Sequence, residues 1–251
     1  MLIHPTIDKL NSMRLAGMAK GLRAQLENPE IHNLTFEDRL ALLVDAEFLE
    51  RENRQLAARL RGAKLRENAA LEDLDTRPSR GIDRSLLASL ATSQWIKRRH
   101  NLLITGATGA GKTWLACALS HTACRQGMTA AYHRLPSLMQ DLELARHDGR
   151  YKKLMRALAR AELLVLDDLG IAPLSVPQLR DLLEIIDERY QKKSTLITSQ
   201  MPVKNWHEAL GDPTMADAIL DRVVHNAYKI ELDGEDSMRK LRSKIDAAET
   251  M

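Results

Sequence analysis

One stretch constrains this chain more than any other. Leu102-Leu-Ile-Thr105 suits a buried strand, Gly106-Ala-Thr-Gly-Ala-Gly-Lys112-Thr113 follows without a break, and an apolar helical pattern continues through Leu115, Ala118 and Leu119. The middle segment has the spacing G-x-x-x-x-G-K-[ST] in a strand–loop–helix setting. Gly106, Gly109 and Gly111 can take backbone angles that a Cβ resists, so the N–H groups of Gly106, Ala107, Thr108, Gly109, Ala110 and Gly111 can curl around an anion. The helix behind adds free N–H donors and the positive end of its dipole. Lys112 is predicted to reach the β- and γ-phosphates, and the Thr113 hydroxyl to ligate Mg²⁺. Such a loop implies a bound nucleoside triphosphate.

From residue 102 onward strand and helix patterns alternate. Strands are predicted at 102–105, 129–133, 162–167, 194–199 and 227–232, and helices at about 112–126, 136–147, 151–160, 176–191 and 213–226. Alternation of this kind gives a five-stranded parallel sheet covered by helices on both faces. Ligands in such sheets bind at the carboxyl ends of the strands. There, Leu163-Leu-Val-Leu-Asp167-Asp168 delivers two carboxylates. Asp167 is the candidate Mg²⁺ carboxylate and Asp168 the candidate group to orient and deprotonate an attacking water. Glutamate is commoner at the second position; aspartate is one methylene shorter, which bears on hydrolysis rather than binding. The strand Ser194-Thr-Leu-Ile-Thr-Ser-Gln200 ends in Thr198, Ser199 and Gln200, any of which could stand between the metal site and the water. Arg222, late in a helix, is either a surface ion-pair partner or an arginine supplied to a neighbour's γ-phosphate.

Residues 5–66 read as all-helical. Ile7, Leu10, Met18, Leu22 and Leu26 recur at roughly helical spacing until Asn28-Pro29 breaks the pattern, and Thr35-Phe-Glu-Asp38 resembles a capping box. Phe36, Leu40, Leu43 and Val44 form one stripe, continued by Leu56 and Leu60. Arg51, Arg54, Arg59, Arg61, Lys64 and Arg66 make the end of this helix basic, either as a solvated face or as a phosphate-contacting one. Residues 67–85 read as a linker, and a short helix is predicted over 84–99, ending in Lys97-Arg-Arg-His100. The domains are thus 1–66, a linker 67–85 and 86–251. A net charge of +3 means that nucleic-acid binding has to come from local clusters. Cys117 and Cys124 share a helix face and read as packing residues, with no disulfide framework or zinc pattern available. The first residues lack a signal-peptide layout and no apolar run approaches a membrane span, so a cytoplasmic protein without a membrane partner is expected.

The 102–232 block resembles an AAA+ ATPase core, and nearly the whole chain resembles the IstB-like insertion-sequence ATP-binding proteins, relatives of DnaC-like helicase loaders. The resemblance rests on Gly106–Thr113, Leu163–Gly170, Thr195–Pro202, Ala218–Tyr228 and Gly234-Glu-Asp-Ser-Met-Arg-Lys240, with the helical N-terminal segment and the Ala69-Ala-Leu-Glu-Asp-Leu-Asp approach to the core. It implies that ATP and Mg²⁺ are the cofactors, with Lys112 and Thr113 on phosphate and metal and Asp167 the acidic Mg²⁺ partner. Asp168 takes the catalytic-acid position, Gln200 falls near the polar sensor position and Arg222 matches the inter-subunit arginine finger. Fewer than twenty residues follow the last strand, so no C-terminal lid domain is expected; Arg239 is a candidate to replace a lid arginine in part.

The resemblance further implies an ATP-controlled homo-oligomer on DNA, duplex favoured, that assists a partner transposase in capturing its target. Candidate DNA contacts are the basic segments 51–66, 97–99 and 146–160. A replicative helicase loader shares the core and differs in its partner and in preferring single strands. A small-molecule kinase would need a lid and an acceptor pocket that the sequence does not offer. A non-hydrolysing, ATP-gated scaffold is the remaining alternative, kept open by Asp168.

Overall fold

Five short runs rich in Leu, Ile, Val and Thr form strands in the computed structural model, which describes residues 5–74 and 81–233. They are β1 (Asn101–Gly106), β2 (Ala130–Arg134), β3 (Leu163–Leu169), β4 (Ser194–Ser199) and β5 (Ala227–Leu232). All pair in parallel, in the order β2-β3-β4-β1-β5. The helices between them are α6 (Lys112–Arg125), α7 (Leu135–His147), α8 (Tyr151–Arg160), α9 (Val176–Arg189), α10 (Trp206–Leu210) and α11 (Pro213–Val224). Central strands are apolar on both faces, as a sheet covered on both sides requires. Leu103, Leu164, Leu166 and Ile197 pack in one core with residues of α7, α8, α9 and α11. The alternate residues Leu102, Ile104, Val165 and Leu196 are equally buried, as are Leu115, Ala116, Cys117, Ala118 and Leu119 of α6. Both cysteines are free and buried, in keeping with a packing role.

The described residues form two compact units, one up to Ala58 and one from Arg59 onward. The first contains α1 (Pro5–Ser12), α2 (Ala16–Glu27), a 3₁₀ turn at Pro29–Asn33 and the start of α3 (Phe36–Ala63). The break at Asn28-Pro29 has a local cause: the Asn28 side chain accepts from the Glu30 amide at 3.0 Å and takes the place of a helical bond. Thr35 caps α3 by accepting from the Asp38 amide at 3.2 Å and donating to the Asp38 carboxylate at 2.7 Å. Glu47 is buried against the start of α2, where the amides of Gly17 and Met18 donate to it at 2.7 and 3.2 Å. Gly17 permits that approach, since a Cβ there would lie 2.4 Å from the Ala46 carbonyl oxygen. The apolar stripe of α3 turns largely outward, with Phe36 72% and Val44 52% exposed. Its inward side carries Leu43, which packs against Gly21, together with Ala46 and Glu47.

The helix predicted over 84–99 is two helices, α4 (Arg84–Ala91) and α5 (Gln94–Lys97). Ser93 between them has a φ of 53°, which stops a right-handed helix, and the Trp95 indole donates to the Leu90 carbonyl at 3.1 Å across the break. No described helix is long and apolar enough to cross a membrane. Arg239 lies outside the described residues.

Candidate nucleotide site

The site is built at the carboxyl ends of β1, β3 and β4. β1 runs into the loop Gly106–Thr113, and the loop opens α6 at Lys112. Gly106 has a φ of 145° and lies so close to β5 that a Cβ would meet the Leu232 carbonyl oxygen at 2.4 Å. Gly111, with a φ of 94°, is the left-handed residue from which α6 starts. The Lys112 ammonium arches back over the loop and donates to the carbonyls of Gly106 and Ala107 at 2.7 and 2.8 Å. Burial pushes its pKa below the ordinary lysine value, against the opposing pull of Asp168 and Asp167.

Opposite the loop, β3 delivers its two carboxylates in different directions. The pairing of β3 with β4 shifts register between Leu166 and Leu169, and Asp168 has a φ of 69°. A bulge of this kind re-aims adjacent side chains, and bulges are common beside active sites. Asp167 is fully buried. Its carboxylate accepts from the Thr113 hydroxyl at 3.0 and 3.1 Å, so the residues read from sequence as the Mg²⁺ pair are in direct contact. Asp168 points elsewhere, to Arg134, whose Nε lies 2.7 Å from its Oδ2.

The end of β4 divides the roles that the sequence leaves open. Thr198 donates to Asp167 Oδ1 and accepts from the Asp168 amide at 3.0 Å, so it touches both acids. Ser199 donates to the Leu169 carbonyl, and Gln200 accepts from Thr108 of the phosphate loop at 2.8 Å. Two further residues at the site had no signal of their own in the sequence. Tyr132 and Arg134 end β2, which pairs with β3 so that Arg134 stands beside Asp167. The Tyr132 hydroxyl donates to Asp167 Oδ2 at 2.5 Å. Burial first, and Asp167 second, push the Tyr132 pKa up, so it remains a proton donor. Only the β2–β3 register reveals these neighbours, and it is a property of the sheet.

Arg222 is not brought to this edge. It lies on α11, where its backbone carbonyl accepts from Asn101 at the start of β1, the end remote from the loop. Five residue steps of β1 separate the two ends, about 16 Å of strand. The guanidinium is paired with Asp187 of α9 and donates to the Ala218 carbonyl at 2.7 Å.

A parallel sheet in this order, with the phosphate loop after β1, an acidic strand end at β3 and β4 inserted between those two strands, defines a P-loop ATP-binding core of the AAA+ class. The chain belongs to the IstB-like ATP binding protein family, whose profile matches residues 8–247. It is 52% identical over 244 residues to a protein of Sinorhizobium fredii named as an insertion sequence ATP-binding protein, covering 97% of this chain and all of that one. Among solved structures, a DnaC helicase loader aligns with a TM-score of 0.54 at 24% identity, over 68% of this chain and 100% of that chain. A DnaI crystal structure aligns with a TM-score of 0.57 at 22% identity, over 66% and 91%. At these identities the structural likeness concerns the fold.

Proposed function

We propose that this chain is the ATPase subunit of a homo-oligomer that assembles on duplex DNA under ATP and assists a partner transposase in target selection and transposition. Arg222 carries the reading. It sits at the sheet edge remote from its own phosphate loop, so it can meet a γ-phosphate only across a boundary between copies. Hydrolysis would then depend on assembly, and nucleotide state would bias assembly in return.

Within one subunit the loop amides and Lys112 take the phosphates. Thr113 and Asp167 would hold Mg²⁺, whose chemistry when bound is to neutralise charge on the β- and γ-phosphate oxygens. The donor set fits. A hydroxyl and a carboxylate, both hard oxygen donors, converge beside the loop. Among the described residues no cluster of three or more His, Cys, Asp or Glu forms a protein-only metal cage. A site of one or two carboxylates completed by phosphates is the usual arrangement for this ion. Asp168 orients and deprotonates the attacking water once it leaves Arg134. Gln200, held against the loop by Thr108, is the polar group offered from the β4 end, and a neighbouring copy's Arg222 stabilises charge as the bond breaks.

Helix α8 is the DNA contact we propose. Lys152, Lys153, Arg156 and Arg160 are exposed on a helix without an acidic residue and form no ion pair among the described residues. The other basic segments are partly engaged. Arg51 pairs with Glu47, Arg54 with Glu50, and Arg99 donates to the Gln191 carbonyl. Lining up α8 from many copies turns a weak patch into firm, largely sequence-independent binding. The transposase partner is supported by the insertion-sequence names of the relatives. Such a role belongs in the cytoplasm, without a membrane partner.

Fluorescence anisotropy on labelled duplex and single-stranded DNA, with ATP, ADP or no nucleotide across a salt series, tests this reading. ATP-dependent, salt-sensitive binding to duplex is expected. Preference for single strands would favour a helicase loader, the second reading, which the DnaC and DnaI likeness in fold keeps in view. Binding to neither would remove DNA from the proposal.

A further inference from the structure

The strands β4, β1 and β5 are parallel neighbours, so their entrances lie side by side at the sheet edge opposite the phosphate loop. Each entrance carries a cation: Lys193 just before β4, Arg99 two residues before β1, and Arg222 on α11 ahead of β5. We propose that the cleft lined by these three residues receives a phosphate group of the nucleotide bound to a neighbouring copy, so that Arg99 and Lys193 act there together with Arg222; this rests on the reading of Arg222 as a residue that works between copies.

The three entrances are locked to one another. The buried Asn101 side chain donates to the carbonyls of Arg222 and Val223, both at 3.2 Å, and accepts from the Thr195 amide at 2.9 Å. Its backbone amide donates to the Asn226 carbonyl at 2.8 Å. Arg99 donates to the Gln191 carbonyl at 3.1 Å and so joins the turn before β1 to the turn before β4. Both of these residues are left-handed, with φ of 63° and 56°. Backbone of this kind persists only where its surroundings hold it, and it concentrates at ligand sites.

The charge in the cleft has one sign. Its lining includes Arg99, Arg189, Lys193 and Arg222 and no acidic residue. Arg189 is 1% exposed and donates to the carbonyls of Leu158, Ala161 and Ser194 and to the Thr195 hydroxyl. None of these partners is a carboxylate, so its charge is not cancelled. Burial pushes its pKa down to about 9, which keeps it protonated at neutral pH. Among the described residues no carboxylate pairs with Arg99 or Lys193 either. Only Arg222 has an acid, Asp187, on Nε, and its Nη1 serves the Ala218 carbonyl. A guanidinium brings five N–H donors and an ammonium three, so most of this donor capacity is unspent. The matching ligand is an anion with several oxygens. The cleft has a volume of about 290 Å³, at the low end of the about 300–1,000 Å³ of small-molecule sites, and suits one phosphate presented from outside rather than a whole nucleotide.

The test uses full chains and the rescue of Arg222→Ala by Lys112→Ala, in which the Lys112→Ala chain supplies only its cationic edge. Arg99→Gln and Lys193→Gln remove a charge and keep a donor. Placed on the Lys112→Ala chain, each is expected to lower the restored turnover about tenfold and both together about 100-fold, with Arg99→Lys recovering most of the loss. Placed on the Arg222→Ala chain, they are expected to change nothing. Binding of a fluorescent ATP analogue, and the salt slope of duplex binding, are expected to be those of the unsubstituted chain. Undiminished rescue, or an equal loss whichever chain carries the substitutions, would overturn the role of the cleft while leaving that of Arg222. Failure of the unsubstituted Lys112→Ala chain to rescue Arg222→Ala would sink the reading of Arg222, and the cleft with it. A shallower salt slope with rescue intact would assign the cleft to DNA phosphates instead.

Discussion

Arg134 and Asp168 are ion-paired across neighbouring strands, Nε to Oδ2 at 2.7 Å, with Asp168 in a left-handed backbone conformation at the β3 bulge. The carboxylate assigned to the attacking water is therefore occupied by a group of its own chain. A partly exposed pair is worth up to about 1 kcal/mol, so Arg134→Ala should raise the population of free Asp168, and turnover with it, by no more than about fivefold. Asp168→Asn should lower turnover by about 100-fold or more with ATP affinity unchanged. Phosphate release and equilibrium nucleotide binding, measured side by side, check both. Full turnover in Asp168→Asn would remove this residue from the chemistry.

Lys112 is the cation that arches over the phosphate loop. Lys112→Ala should abolish ATP binding, and undiminished binding of a fluorescent ATP analogue would refute the assignment of the loop.

Arg222 is paired with Asp187 and lies at the far edge of the sheet. Arg222→Ala should spare ATP binding and remove the part of turnover that rises with protein concentration, a loss of about 1,000-fold or more for a trans-acting arginine. Mixing it with a Lys112→Ala chain should restore activity, because each supplies what the other lacks. Turnover equal to the unmodified chain, or no recovery on mixing, counts against a role between copies.

The cations of α8 are predicted to bind DNA phosphates. Replacing Lys152, Lys153, Arg156 and Arg160 with alanine should weaken duplex binding on all sequences alike. The slope of log affinity against log salt should become shallower by about 0.9 for each phosphate that is no longer neutralised. An unchanged slope would shift attention to the segments at 51–66 and 97–99.

Glu47 carries a pH prediction. Burial works to raise its pKa, but hydrogen bonds from Arg51, Met18 and Gly17 outweigh it and the pKa is lowered from the ordinary 4.5. A depressed carboxylate stabilises the fold at pH values above its unfolded pKa, and that contribution is lost as pH falls through the lower folded value. The helical unit up to Ala58 should therefore lose stability on the acid side of 4.5. Thermal melts by circular dichroism across pH should show a smaller acid loss in Glu47→Gln. Parallel pH profiles for the two chains would rule this out.

The sequence alone determined most of the elements and their order, because each of these has a local cause. The glycines and Lys112 announce the loop, alternating runs set five strands and their helices, and Asn28-Pro29 and Thr35 mark where helices stop and start. It also singled out Asp167, since an acid ending an apolar strand has few other uses. Tertiary structure decided the rest. Which strands are neighbours is fixed by packing and crossover geometry, and with them the meeting of Tyr132 and Arg134 from β2 and Thr198 from β4 around two adjacent carboxylates. The direction of Asp168 depends on a bulge that no residue pattern signals. Arg222 stands far from the loop only because α11 meets β1 at the opposite edge. The outward turn of Phe36 and Val44 likewise follows from Leu43 alone of the stripe, with Ala46 and Glu47, having faced α2. Local chemistry is written residue by residue; which residues meet is a long-range property, settled when the sheet closes its register.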